Sequence, residues 1–134
     1  MAKHSYPFAI FLIAISAYGT RAEAIIRCEL NGKAINISNG AETAGQSGLV
    51  RCRDENTGHV QREQQLQNGK FMGLERMFDR EGRLQRERSV NERGNSHGRV
   101  AEFWPNGQLR REETADNGRP QGAVRRLDAS GRVE

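Results

Sequence analysis

The chain has 134 residues, 35% of them hydrophobic and 28% charged, with 15 glycines, three prolines, two cysteines and a formal charge of +4. One small domain is the most this length supports, which excludes a large multidomain enzyme. Residues 1–24 hold 15 of the 47 apolar residues, so the other 110 are poor in core material.

From residue 25 onward Leu, Ile, Val and Phe number 20 in 110. That is below the roughly 20% at which disorder becomes a live reading. The same stretch is nearly neutral, however, with 19 basic against 16 acidic residues, whereas disordered chains pair low hydrophobicity with strong net charge. Something other than a large globular core must organise it.

At the N-terminus Lys3 and His4 precede the apolar run Phe8–Ile15, and Ala22-Glu23-Ala24 supplies small residues at the two positions a signal peptidase reads. The pattern predicts a signal peptide over 1–24, cleavage after Ala24 and a mature chain beginning at Ile25. The other reading is a membrane anchor, for which the run is too short against the roughly 20 residues a spanning helix needs. Export, to the periplasm or the medium, places Cys28 and Cys52 in an oxidising compartment that favours joining them. Two unpaired buried thiols are the alternative.

Beyond a non-repeat cap segment at 25–47, glycines recur in three sets: Gly58, Gly82, Gly107 and Gly131; Gly73, Gly98 and Gly122; Gly69, Gly94 and Gly118. Steps of 24 or 25 residues held at three points per unit define a repeat protein over 48–134, in units 48–72, 73–97, 98–121 and a partial 122–134. Asp79-Arg80-Glu81-Gly82, Trp104-Pro105-Asn106-Gly107 and Asp128-Ala129-Ser130-Gly131 fit a type I turn followed by a left-handed glycine. Alternating stretches flank each turn, so every unit reads as a β-hairpin. The predicted fold is all-β: an elongated single-layer stack of antiparallel hairpins with a disulfide-linked N-terminal cap. Its expected core stripe is Val60, Phe78, Leu84, Phe103, Leu109, Leu127 and Val133. Stacked hairpins bury such stripes continuously, which reconciles order with a sparse apolar content.

The pattern FWPNGQLRREETADNGRPQG resembles the MORN-repeat-variant family, whose units run from an aromatic pair through a Pro-Asn-Gly-like turn, a leucine, a charged strand and an Asn-Gly-Lys-like turn to the next glycine. The likeness covers about residues 48–134 and is weakest in the first unit, where Asp54 replaces the aromatic and an extra residue precedes Gly58. The resemblance implies a β-hairpin stack used as a binding or assembly surface, in relatives often labelled antitoxin components. It carries no catalytic motif.

Enzyme readings fail for want of parts. His59 and His97 do not recur in the repeat, no cluster has metal-ligand spacing and no phosphate-binding loop is present, so neither cofactor nor metal is expected. Arg62-Glu63, Arg86-Glu87 and Arg111-Glu112 recur after the turn glycines and predict a salt-bridge lattice with Glu75, Glu102 and Arg125 as cross-strand partners. After residue 24 there are 17 Arg against two Lys, and the planar arginine fork suits carboxylates and phosphates.

Trp104, Arg86, Arg111, Arg125 and Arg126 are the candidate binding surface; Phe103 and Trp104 are expected to face opposite sides of a strand, and Phe103 is assigned to the core because its repeat equivalents are apolar while Trp104 aligns with Asp79 and Asp128. An unidentified protein is the expected partner, in an antitoxin- or immunity-like role. An anionic lipid or cell-wall polymer is the alternative; the balanced charge, scarce aromatics and export signal weigh against nucleic acid. Residues 123–134 give the last unit a strand and a turn without a full second strand, so this edge is expected either to fray or to pair with a partner strand or a second copy.

Overall fold

The computed structural model describes residues 23–134, so the expected leader up to residue 22, its apolar run included, lies outside the described residues. Nine strands form one open antiparallel sheet: β1 (Ile26–Leu30), β2 (Lys33–Ala34), β3 (Gly48–Asp54), β4 (Val60–Gln67), β5 (Lys70–Phe78), β6 (Leu84–Val90), β7 (Ser96–Phe103), β8 (Leu109–Asp116) and β9 (Arg119–Arg126). Their spatial order is β2-β1-β3-β4-β5-β6-β7-β8-β9, so from β3 onward chain order and sheet order coincide. Each strand packs substantially only against its neighbours, as a hairpin stack requires.

The turns explain the period. Asp79, Trp104 and Asp128 each accept at the backbone carbonyl the amide of the glycine three residues on, at 2.9–3.0 Å. Gly82, Gly107 and Gly131 have φ between 81° and 88°, a left-handed conformation that costs a glycine nothing. Asp79 and Asp128 add side-chain caps, each accepting two turn amides; Trp104 cannot, and Asn106 caps Gln108 N in its place. Gly58 (φ 75°) closes a longer turn onto Asp54 O, four residues back, which accommodates the extra residue of the first unit. On the opposite rim Asn31-Gly32, Asn68-Gly69 and Asn117-Gly118 have both residues at positive φ, as a type I′ hairpin turn needs. The five-residue connection Asn91–Asn95 is one residue longer than its counterpart at Gln67–Lys70, and this makes one step 25 rather than 24.

Each strand pair from β3/β4 onward carries a bulge, and those beside the turns at Gly58, Gly82 and Gly107 fall at a fixed place. Gln61, Gln85 and Arg110, each three residues after a turn glycine, have no cross-strand partner. At the other rim Gly73, Gly98 and Gly122, with φ of 94°, 100° and 72°, sit in register shifts of their own. Gly73 is closely held: Gln65 Oε1 accepts Leu74 N–H at 2.9 Å, and a Cβ on Gly73 would come within 2.1 Å of that oxygen.

One sheet face carries the row Cys28-Cys52-Arg62-Met77-Arg86-Glu102-Arg111-Arg126, each residue in register with the next. Cys28 and Cys52 are joined by a disulfide. Over this end of the face folds the segment 35–47 with its short helix α1 (Gly40–Thr43), capped by Asn39, whose Oδ1 accepts Ala41 N–H. Ile35, Ile37 and Phe71 pack on the buried cluster Cys28, Leu30, Val50, Cys52 and Leu66. Further along, no second layer lies over the sheet among the described residues, and Val90, Val100 and Ala115 are buried among the long side chains of their own face.

The expected core stripe is therefore displaced. Val133 is 68% exposed, and Val60, Phe78, Leu84, Phe103, Leu109 and Leu127 are only half-buried. Phe78–Leu84, Phe103–Leu109 and Leu127–Val133 face each other across the hairpins beside the turns, at the rim of the sheet. The buried apolar positions run from the middle of the strands, as at Cys28, Cys52 and Val100, toward the opposite rim, as at Leu30, Leu66, Val90 and Ala115. Residues 123–134 continue the sheet: β9 is formed with all its residues exposed, the turn closes at Gly131, and Glu134 N–H reaches Arg126 O at 2.9 Å. No helix among the described residues is long and apolar enough to cross a membrane.

Candidate functional site

The second face is a charge ladder. In register across eight strands run Glu29, Arg51, Glu63, Arg76, Glu87, Ala101, Glu112 and Arg125. Signs alternate except at Ala101, where Arg99 bridges the gap, its guanidinium lying 3.5 Å from Glu87 and 2.7 Å from Glu112. Arg76–Glu87 at 2.8 Å and Arg125–Glu112 at 2.7 Å continue the ladder on either side. Hydrogen bonding by Arg99, outweighing partial burial, holds the Glu112 carboxyl below its ordinary value. This face is neutralised by its own side chains, so Arg125 belongs to a structural lattice; its neighbour Arg126 points to the other side.

On the disulfide face most charges are likewise satisfied. Glu75, whose side chain is only 6% exposed, receives Arg88 Nε at 2.7 Å and a second Arg88 nitrogen at 3.3 Å, with Arg62 at 3.5 Å. Burial alone would raise its pKa, yet the hydrogen bonds and charge of Arg88, with Arg62 and Arg86 behind, hold it below the ordinary value. Arg111 reaches Glu113 at 2.7 Å and Glu102 at 3.8 Å. The cross-strand partners expected for Arg62, Arg111 and Glu112 are thus the ones found.

Around Trp104 the balance breaks. A cleft of about 560 Å³ is lined by Met77, Asp79, Leu84, Gln85, Arg86, Glu102, Phe103, Trp104, Pro105 and Arg110. The indole is its far wall, and beyond it lies a second hollow of about 380 Å³ that adds Arg111, Arg126, Leu127 and Glu134. The indole N–H donates to Leu127 O at 3.0 Å, and the Arg110 guanidinium lies 4.6 Å from the ring centroid. The bulge at Arg110 brings that guanidinium over the ring by interrupting strand alternation. Asp79 is committed to Arg83, at 2.7 Å, and to its turn amides, which keep its carboxyl low. Arg86, Arg110 and Arg126 have no carboxylate within 4 Å among the described residues.

Arg86 is distinctive in a further respect. Its Nε, like those of Arg51 and Arg111, is buried and donates to nothing. Arg51 and Arg111 nevertheless pair with Glu63 and Glu113 through their other nitrogens. Arg86 does not.

Four of the five expected surface residues, Trp104, Arg86, Arg111 and Arg126, therefore meet on one face, and Arg125 does not. Arg110, Met77 and Glu102 were not among the candidates. The signal for Arg110 was its place three residues after a turn glycine, shared with Gln61 and Gln85. Trp104 also stitches the third unit to the fourth, so Trp104→Phe, which loses the donor to Leu127, is expected to cost about 1 kcal/mol. Phe103→Ala, at a half-buried site, is expected to cost about 2 kcal/mol, below the value for a fully buried ring. Urea unfolding of both variants measures the difference.

Compared with family models, curated proteins and solved structures, the chain matches none.

Proposed function

We propose that the chain is an exported, non-enzymatic repeat protein of the MORN-variant kind that binds another protein, in an antitoxin- or immunity-like role, through the face bearing Trp104. The observation that supports this reading is the contrast between two faces of one sheet. One is a closed charge lattice. The other combines uncompensated arginines with apolar side chains, including a 42% exposed Met77, and such a mixture of aromatic, Met and Arg groups is what protein interfaces enrich. The disulfide fits export to the periplasm or medium.

Attachment to anionic lipid or cell-wall polymer through the arginines is the second reading, and the excess of Arg favours it. Against it, most arginines near the sheet centre are already paired. Co-sedimentation with anionic vesicles and with cell-wall sacculi separates the two. The protein-binding reading expects no attachment at roughly 0.15 M salt, where the Debye length is about 8 Å; attachment that salt abolishes overturns it. Export predicts that intact mass of the periplasmic or secreted species starts at Ile25, whereas a species retaining Phe8–Ile15 means an anchored chain.

A further inference from the structure

We infer that the Trp104 cleft receives an acidic side chain flanked by an apolar one, from an exposed segment of the partner protein. This rests on the protein-binding reading and names the chemistry that the site recognises. Arg86 presents an unpaired guanidinium on one side of the cleft, and Arg110 presents another, stacked on the indole at 4.6 Å. Most strand arginines have a carboxylate within 4 Å, whereas among the described residues Arg86 and Arg110 have none, and the volume of about 560 Å³ that they border leaves room for a carboxylate from outside. Met77, Leu84, Phe103 and Trp104 supply an apolar part of the lining that can bury a hydrophobic neighbour of that carboxylate. The two carboxylates that also line the cleft have partners of their own, Asp79 in Arg83 at 2.7 Å and Glu102 in Arg111 at 3.8 Å. A long polyanion fits less well. Glu75, Glu102 and Glu113 interrupt the positive row on this face, so the uncompensated charge is local rather than a stripe.

Trp104 is the only tryptophan, so its emission reports on the cleft directly. The experiment titrates the mature chain, residues 25–134 with the disulfide intact, with an acetylated and amidated peptide containing Glu-Phe-Glu between Gly-Ser ends. Control peptides replace both Glu by Gln, or Phe by Gly, and vesicles of phosphatidylglycerol form a separate arm. The inference expects a saturable emission change with the Glu-Phe-Glu peptide at or below about 1 mM. Both controls are expected to bind at least about tenfold more weakly, a difference of 1.4 kcal/mol.

Arg86→Gln is expected to weaken binding by a similar factor and Arg110→Gln independently so, while Arg93→Gln, at the opposite rim, leaves it unchanged. Thermal melting verifies that each variant folds, and either one suffices if the other does not. Equal binding of the Gln peptide, no response to the Glu-Phe-Glu peptide, indifference to both cleft substitutions, or a response to vesicles alone overturns the inference. Capture of the same protein from an envelope extract by wild-type and Arg86→Gln chains alike overturns the cleft assignment and leaves the protein-binding reading standing. Failure to capture any protein with either chain removes both.

Discussion

Glu75→Ala is expected to destabilise the protein by about 3 kcal/mol, the low end of what breaking a buried ion pair costs. The carboxylate is almost fully covered, so the substitution leaves Arg88 and Arg62 facing each other without a counter-charge. The cost stays at the low end because the Arg88 side chain retains 25% exposure and can recruit water. Replacing the pair together, Glu75→Leu with Arg88→Met, is expected to recover most of the loss, since apolar groups of similar volume leave no orphaned charge. A double-mutant cycle by urea unfolding isolates the coupling.

The pH dependence has the same origin. Glu75 and Glu112 titrate below their ordinary value in the folded chain. Their stabilisation is complete above the unfolded Glu pKa of about 4.3 and is lost as pH falls through the lower folded values. Unfolding midpoints are therefore expected to be flat near neutrality and to drop below about pH 4.5, and Glu75→Ala is expected to flatten part of that drop.

Loss of the disulfide, in a Cys28→Ser and Cys52→Ser double variant, is expected to cost about 3 kcal/mol in the chain-entropy account, for a separation of 24 residues. The site makes the effect larger than a generic crosslink would suggest. Cys28 and Cys52 also belong to the one cluster with a second layer over it, and the sheet beyond depends on neighbour contacts propagating from that end. Reductant is expected to lower the unfolding midpoint of the wild type to that of the double variant. A midpoint indifferent to reductant would mean that the cap contributes little to the stack.

The hairpins were legible because their signals are local. A glycine forced to positive φ, an Asp or Asn able to cap a turn and a fixed period together specify turns, strand order and phase. The cystine was legible from export and a count of two. The buried positions were not, because the bulges at Gln61, Gln85 and Arg110 shift the alternation on which a core stripe would be drawn. Phe78, Phe103 and Leu127 also stand directly before the turns, at the rim, while Val50, Val90 and Val100 lie farther from it and are buried. Nor does any local pattern announce that Ile35 and Ile37 fold over Leu30, Val50 and Leu66, since this contact is made at a distance along the chain. At the candidate site Trp104 stood out as a lone indole, but its partner Arg110 is chosen by the bulge.

The most direct measurement is affinity capture from an envelope extract with the mature chain as bait, read by mass spectrometry for protein and lipid together while salt is raised to roughly 1 M, where the Debye length is about 3 Å. The account predicts a specific protein that persists into high salt through the apolar contacts of the Trp104 cleft and is depleted when Arg86→Gln is the bait. Recovery of anionic lipid or wall polymer alone, released as salt rises, would contradict it.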